Sequence, residues 1–167
     1  MRALVVLGSK RGGTAGLAQM IGDALTRRGI EVDVSPAKGV TTLDGYDAVV
    51  VAGALYANRW HRHARRFVRR QVAALSARPV WLVSSGPLDE SARSGDLEPV
   101  RQVADLAARV GALGTLTFGG RLEADAKGFP ASAMAKTKAG DWRNGDQVDQ
   151  FASTVAAELA RPGDDLQ

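Results

Sequence analysis

The sequence predicts an α/β fold, a three-layer sandwich in which a parallel sheet of five strands carries helices on both faces. Three observations carry that prediction. Short apolar runs alternate with amphipathic stretches along the whole chain. The runs within Asp47–Gly53 (Val49, Val50, Val51) and Pro79–Ser85 (Val80, Trp81, Leu82, Val83) are apolar at successive positions, the pattern of strands buried on both faces. The length of 167 residues suits one domain, read as residues 1–160 with a polar tail over 161–167.

Arg2–Leu7, rich in Val and Leu, is the first strand. Thr14–Arg28 places Leu17, Met20, Ile21, Ala24 and Leu25 at helical spacing, and Gly29 stands where a helix stop belongs. Ile30–Val34 alternates acids with apolar residues, as a strand near an edge would. Pro36, Gly39 and Gly45 leave Ser35–Tyr46 room for at most one helical turn. After the third strand, Ala64, Phe67, Val68, Gln71, Val72 and Leu75 mark one face of a helix. Pro79–Ser85 is the fourth strand. Leu97–Val110 reads as a helix closed by Gly111, and Leu113–Phe118 as the fifth strand. Gly119–Gly145 shows no periodicity. Asp146 is the expected N-cap of a last helix carrying Val148, Phe151, Ala152, Val155 and Leu159.

The charge is concentrated. Lys and Arg number 22 against 18 Asp and Glu, for a net +4. Arg59, Arg62, Arg65, Arg66, Arg69 and Arg70 fall within one acid-free stretch that also holds both histidines, and without them the balance turns negative. Most of these arginines lie opposite the apolar face of their helix. Two readings stay open: a solvated helix face, or a docking patch for an anionic partner or substrate, with Arg59, Arg62 and Arg66 as its candidates. Nucleic acid is not expected, because no aromatic side chains are interleaved for base stacking. The absence of Cys excludes disulfides, thiolate metal sites and a thiol nucleophile. His61 and His63 alone are a poor basis for a metal centre, and none is assigned. The longest apolar run, Ala48–Ala57, is about half of what a bilayer crossing needs. The expectation is a cytoplasmic protein with no integral membrane segment.

In parallel sheets, ligands bind beyond the carboxyl ends of the strands where the strand order reverses. Gly8–Thr14, Gly53–Trp60, Ser84–Glu90 and Gly119–Leu122 all fall on that edge. Ser9-Lys10-Arg11-Gly12-Gly13-Thr14 offers consecutive backbone N–H groups, two hydroxyls and a helix N-terminus to one anion. A tight turn with Thr14 as a simple N-cap is the plainer reading of the same residues. No Gly-Lys-Ser/Thr triplet exists for a P-loop, and Gly8, Gly12, Gly13 and Gly16 do not fit the dinucleotide spacing. A mononucleotide phosphate fits best.

At these residues the sequence resembles the flavodoxin-like family. Ser9–Thr14 is similar to its phosphate signature, Ser/Thr-x-Thr-Gly-x-Thr, with Arg11 in place of the central Thr and Gly13 at the variable position. Asp47–Tyr56 resembles the third strand and the loop beside the flavin ring, and Ser84–Leu88 the second ring-side loop. Trp60-His61, Phe118-Gly119-Gly120-Arg121-Leu122 and Asp141-Trp142 resemble the branch containing menaquinone-dependent protoporphyrinogen dehydrogenase. The resemblance implies strand order 2-1-3-4-5 and FMN as cofactor. It implies that Ser9, Arg11, Gly12, Gly13 and Thr14 hold the phosphate. Ala54, Leu55 and Tyr56 would pass along the ring, with Tyr56 either stacking or an ordinary loop tyrosine. Ser85, Gly86 and Pro87 would line the other side. Trp60 is either near the ring or a buried anchor for the basic helix, and Trp81 is core. Membrane-active members of that branch carry a longer apolar insertion after the fifth strand. Here Glu123–Asn144 has only Phe129, Met134 and Trp142 as large apolar residues, poorly suited to a bilayer.

In such proteins the cofactor does the electron chemistry. No Ser-His-Asp set or paired carboxylates stand out, so no catalytic residue is assigned. The first reading is an FMN-dependent oxidoreductase acting on a small anionic substrate, in the manner of a protoporphyrinogen dehydrogenase. The second is an FMN electron carrier that docks an acidic redox protein through its arginine helix. A third keeps the fold with a deazaflavin or no cofactor. Arg11, Arg59 and Arg62 near a flavin would make its potential less negative than in acidic flavodoxins.

Overall fold

The computed structural model describes residues 1–10, 12–86, 97–122, 140–141 and 143–162. The elements in chain order are β1 (Arg2–Gly8), α1 (Gly12–Thr26), β2 (Glu31–Pro36), a 3-10 turn (Ala37–Gly39), β3 (Ala48–Tyr56), β4 (Arg59–Trp60), α2 (Arg62–Arg70) and α3 (Val72–Ser76). They continue with β5 (Val80–Ser85), α4 (Arg101–Val110), β6 (Gly114–Phe118), β7 (Arg121–Leu122), β8 (Gly140–Asp141) and a last helix, α5 (Gly145–Leu159).

The five long strands are parallel and ordered β2-β1-β3-β5-β6, which is the 2-1-3-4-5 order expected. β4 adds two residues antiparallel to β3, and β7 pairs separately with β8. Alternate strand residues serve opposite faces. Val5, Val50, Ala52, Trp81 and Val83 pack with Leu17 and Ile21 of α1 and Val148, Phe151 and Val155 of α5. Leu4, Val6, Val49, Val51 and Leu82 pack with Phe67 and Val68 of α2, Leu75 of α3, and Val103 and Leu106 of α4. Burial of each such side chain contributes about 1.5–3 kcal/mol, which holds the central strands rigid beneath their carboxyl-end loops. Trp81 is core as expected, edge-on to Phe151 at 6.4 Å. No helix among the described residues is long and apolar enough to cross a membrane.

Several boundaries differ from expectation, and five of the differences have a local reason. α1 begins at Gly12, so Thr14 lies inside its first turn and is not an N-cap. β3 runs on to Tyr56, because it continues into a hairpin with β4. The basic helix is two helices. Gln71 leaves helical geometry (φ −106°, ψ 20°) while its side chain donates to the Thr41 carbonyl at 3.1 Å, and Arg70 donates to Val40 at 3.2 Å. α4 starts at Arg101 rather than Leu97, because Pro99 disfavours helical backbone at Glu98 and Val100 is extended. The N-cap of α5 is Asn144, whose Oδ1 accepts from the N–H groups of Asp146 (2.9 Å) and Gln147 (3.4 Å). Asp146 sits in the first turn instead.

Candidate functional site

The strand register brings the predicted loops to one edge. Gly8 pairs with Gly53, Gly53 with Ser84, and Ser84 with Thr117; one step further, Ala54 pairs with Ser85 and Ser85 with Phe118. Ser9, Ala54, Leu55, Tyr56, Ser85 and Gly86 therefore lie along the carboxyl ends of β1, β3 and β5, the central strands of the sheet. β1 is joined to β2 on one side and β3 on the other, so the strand order reverses between β1 and β3.

After β1 the chain passes Ser9 and Lys10 and enters α1. Arg11 lies outside the described residues, as does Pro87 after β5. The N–H groups of the first helical turn, Gly12, Gly13 and Thr14 among them, have no intrahelical acceptor, and that turn contains no acid. Gly13 and Thr14 are buried, Thr14 at 2% exposure. Among the described residues, the head of α1 is a donor-rich helix N-terminus with no acid in its first turn, a setting suited to an anion.

The first loop expected beside the ring is a tight hairpin. Leu55 faces Trp60 and Tyr56 faces Arg59 across a two-residue turn, Ala57-Asn58. Both turn residues have positive φ (48° and 58°), as in the turns whose twist matches paired strands. Leu55 and Tyr56 are half-buried. Trp60 is fully buried, and its Nε1 donates to the Gly53 carbonyl at 3.1 Å. A Cβ at Gly53 would collide with that indole. Trp60 is thus the anchor of the basic helix and packs among Leu4, Val6 and Phe67. Its backbone N–H donates to Gln102 Oε1 at 3.1 Å, which braces the hairpin against α4. On β5, Gly86 takes φ +136° and gives its N–H to the Phe118 carbonyl at 2.8 Å. An added Cβ there would touch Leu55 at 3.4 Å, so this glycine lets the ends of β5 and β3 approach.

The arginines divide into two groups. Arg65 donates through Nε to the Trp60 carbonyl at 3.0 Å, and Arg70 is tied to the 37–40 segment. Burial, then the neighbouring Arg59, Arg69 and Arg66, lower the pKa of Arg65. Arg59, Arg62 and Arg66 are exposed, and among the described residues none forms an ion pair. The docking candidates are therefore free cations beside the hairpin.

One residue of this edge was not among the expected site residues. His61 caps α2, is 7% exposed, and gives its backbone N–H to Ala54 at 2.8 Å. Its Nδ1 accepts from the His63 N–H at 3.2 Å, and its buried Nε2 has no partner among the described residues. Burial first, then the positive charge of His63, Arg62, Lys10 and Arg65, pushes its pKa down to about 4. The available signal was a histidine placed where an N-cap belongs, immediately after the hairpin.

Residues 4–137 match the family model described as "Flavodoxin domain". Among curated proteins no match is found. Among solved structures, the chain is similar to a short-chain flavodoxin associated with a non-canonical PDU bacterial microcompartment, at 16% identity and TM-score 0.64. That alignment covers 96% of this chain and 99% of the other. An archaeal flavodoxin aligns at 15% identity and TM-score 0.62, over 96% and 100% of the two chains. A flavodoxin from Streptococcus pneumoniae TIGR4 aligns at 18% and 0.62, over 95% and 99%. At these identities the solved structures attest the fold.

Proposed function

The chain belongs to the flavodoxin domain family, whose cofactor is FMN, and from that premise we propose an FMN-dependent oxidoreductase that acts on a small anionic substrate. The donor set fits the cofactor. The head of α1 offers hydroxyls and main-chain N–H groups with no acid in its first turn, which is what a phosphate monoester requires. In this reading Ser9 and Thr14 donate hydroxyl hydrogen bonds to the phosphate, and Gly12 and Gly13 donate backbone N–H groups. Ala54 and Leu55 flank the ring and Tyr56 stacks on it. Ser85 and Gly86 line its other side. The Gly86 N–H is already given to Phe118, so the Ser85 hydroxyl and the Gly86 carbonyl are the groups left for polar contact there.

FMN, when bound, supplies hydride or single-electron transfer. The protein's part is to fix its orientation, shield one ring face and set the local charge. The observation that carries the proposal is the register row Gly8–Gly53–Ser84, which aligns the anion loop and both ring-side loops at the reversal in strand order. The substrate class rests on two supports: the exposed Arg59, Arg62 and Arg66 beside the hairpin, and the resemblance to the protoporphyrinogen dehydrogenase branch.

The same arginines favour a second reading, an electron carrier docking an acidic protein. Two anaerobic experiments separate the readings. Mixing the FMN-loaded protein with protoporphyrinogen should bleach the flavin absorbance if the enzyme reading holds. No bleaching, together with electron exchange with an acidic redox protein that slows steeply as salt rises, would replace it with the carrier reading.

A further inference from the structure

The imidazole of His61 is a buried donor facing no acceptor. Because Nδ1 accepts from the His63 N–H, the ring proton of the neutral imidazole resides on Nε2. That N–H is enclosed and unpartnered. Protein interiors rarely leave such a group unsatisfied, and a persistent orphan calls for a missing partner.

Its place in the fold says what the partner is. The first turn of α2 lies against the end of β1: a Cβ on Gly8 would stand 2.6 Å from the Ala64 nitrogen and 2.9 Å from its Cβ. Gly8 is the last residue before the Ser9–Thr14 loop. The first turn of α2, capped by His61, therefore packs on the residue from which the chain leaves β1 for the head of α1, and Lys10 of that passage is among the charges acting on the ring. The charged and titratable groups acting on the ring are Lys10 from that loop and Arg62, His63 and Arg65 from α2, all of them basic. Among the described residues no acid acts on it. An anion oxygen completes this arrangement, whereas a cation or a neutral donor would leave it worse than empty.

We propose that His61 Nε2 donates a hydrogen bond to the phosphate group bound by the Ser9–Thr14 loop, making that phosphate site a junction of two helix N-termini. Its identification with the FMN phosphate rests on the cofactor reading above. In the ligand-free protein burial and the surrounding cations oppose protonation of the ring; a bound phosphate acts the other way, and Nε2 carries a proton to donate in either form.

The test compares FMN with riboflavin, which has the same ring and no phosphate, on the wild type, His61→Leu and His61→Gln. Binding is followed by flavin fluorescence and folding by circular dichroism. His61→Leu should weaken FMN roughly tenfold or more while leaving riboflavin within about twofold, and His61→Gln, which keeps a donor, should recover part of the loss. Unchanged FMN affinity, or equal loss of FMN and riboflavin, would overturn the assignment. A nitrogen-15 NMR titration of the wild type with inorganic phosphate separates this proposal from the cofactor reading. If FMN does not bind but phosphate shifts the His61 Nε2 resonance, the cofactor reading fails and the anion ligand stands. If phosphate leaves that resonance unmoved, the anion ligand fails.

Discussion

Ala57 is the one alanine of the described chain held at positive φ, beside an asparagine that tolerates it better. The hairpin turn needs both residues left-handed, and the penalty for Ala57 falls on the loop expected beside the flavin. Ala57→Gly should therefore stabilise the fold by about 0.5–1 kcal/mol, measured by urea denaturation. Gly53→Ala should do the opposite and cost about 1–3 kcal/mol, because the new methyl meets the Trp60 indole. His61 makes stability depend on pH. Its folded pKa of about 4 lies below the ordinary value of 6.5, so between those limits the unfolded chain binds more protons. This contribution is fully present above pH 6.5 and is lost as pH falls toward 4. Denaturation of the cofactor-free protein across that window should show the loss, and His61→Gln should reduce it.

At the scale of elements, the helix ends tell the expected cap from the observed one. Asn144→Ala should cost about 1 kcal/mol of thermal stability, and Asp146→Ala only a few tenths through the helix dipole. The reverse ranking would restore Asp146 as the cap. The five long strands were legible because strands buried on both faces require continuous apolar runs, as at Val49–Val51 and Val80–Val83. The β3–β4 hairpin was not, since Ala57-Asn58 lacks the glycine that usually announces such a turn. Nor was the break at Gln71, which depends on a hydrogen bond to Thr41 from a distant segment. The anion loop could be read from its own glycines and hydroxyls. The environment of His61 could not, because it arises only when α2 docks on Gly8.

For the molecule as a whole, the sheet register gathers the candidate residues while the charge distribution sets what approaches them. Exposed Arg59 faces Tyr56 across the hairpin, and exposed Arg62 opens the helix that follows. If both lie within a Debye length of bound FMN, about 8 Å at physiological salt, they stabilise added negative charge there. The Arg59→Ala/Arg62→Ala double variant should then show a more negative flavin potential by spectroelectrochemistry, with a smaller difference at high salt. An unchanged potential would place the arginine face in docking rather than in tuning.

Cofactor binding underlies all of these functional readings, and the absorption spectrum of the purified protein after FMN addition and desalting tests it most directly. A protein that binds FMN retains a two-band flavin spectrum that bleaches on reduction, and this is the expected result. A colourless protein that releases FMN on desalting would contradict it.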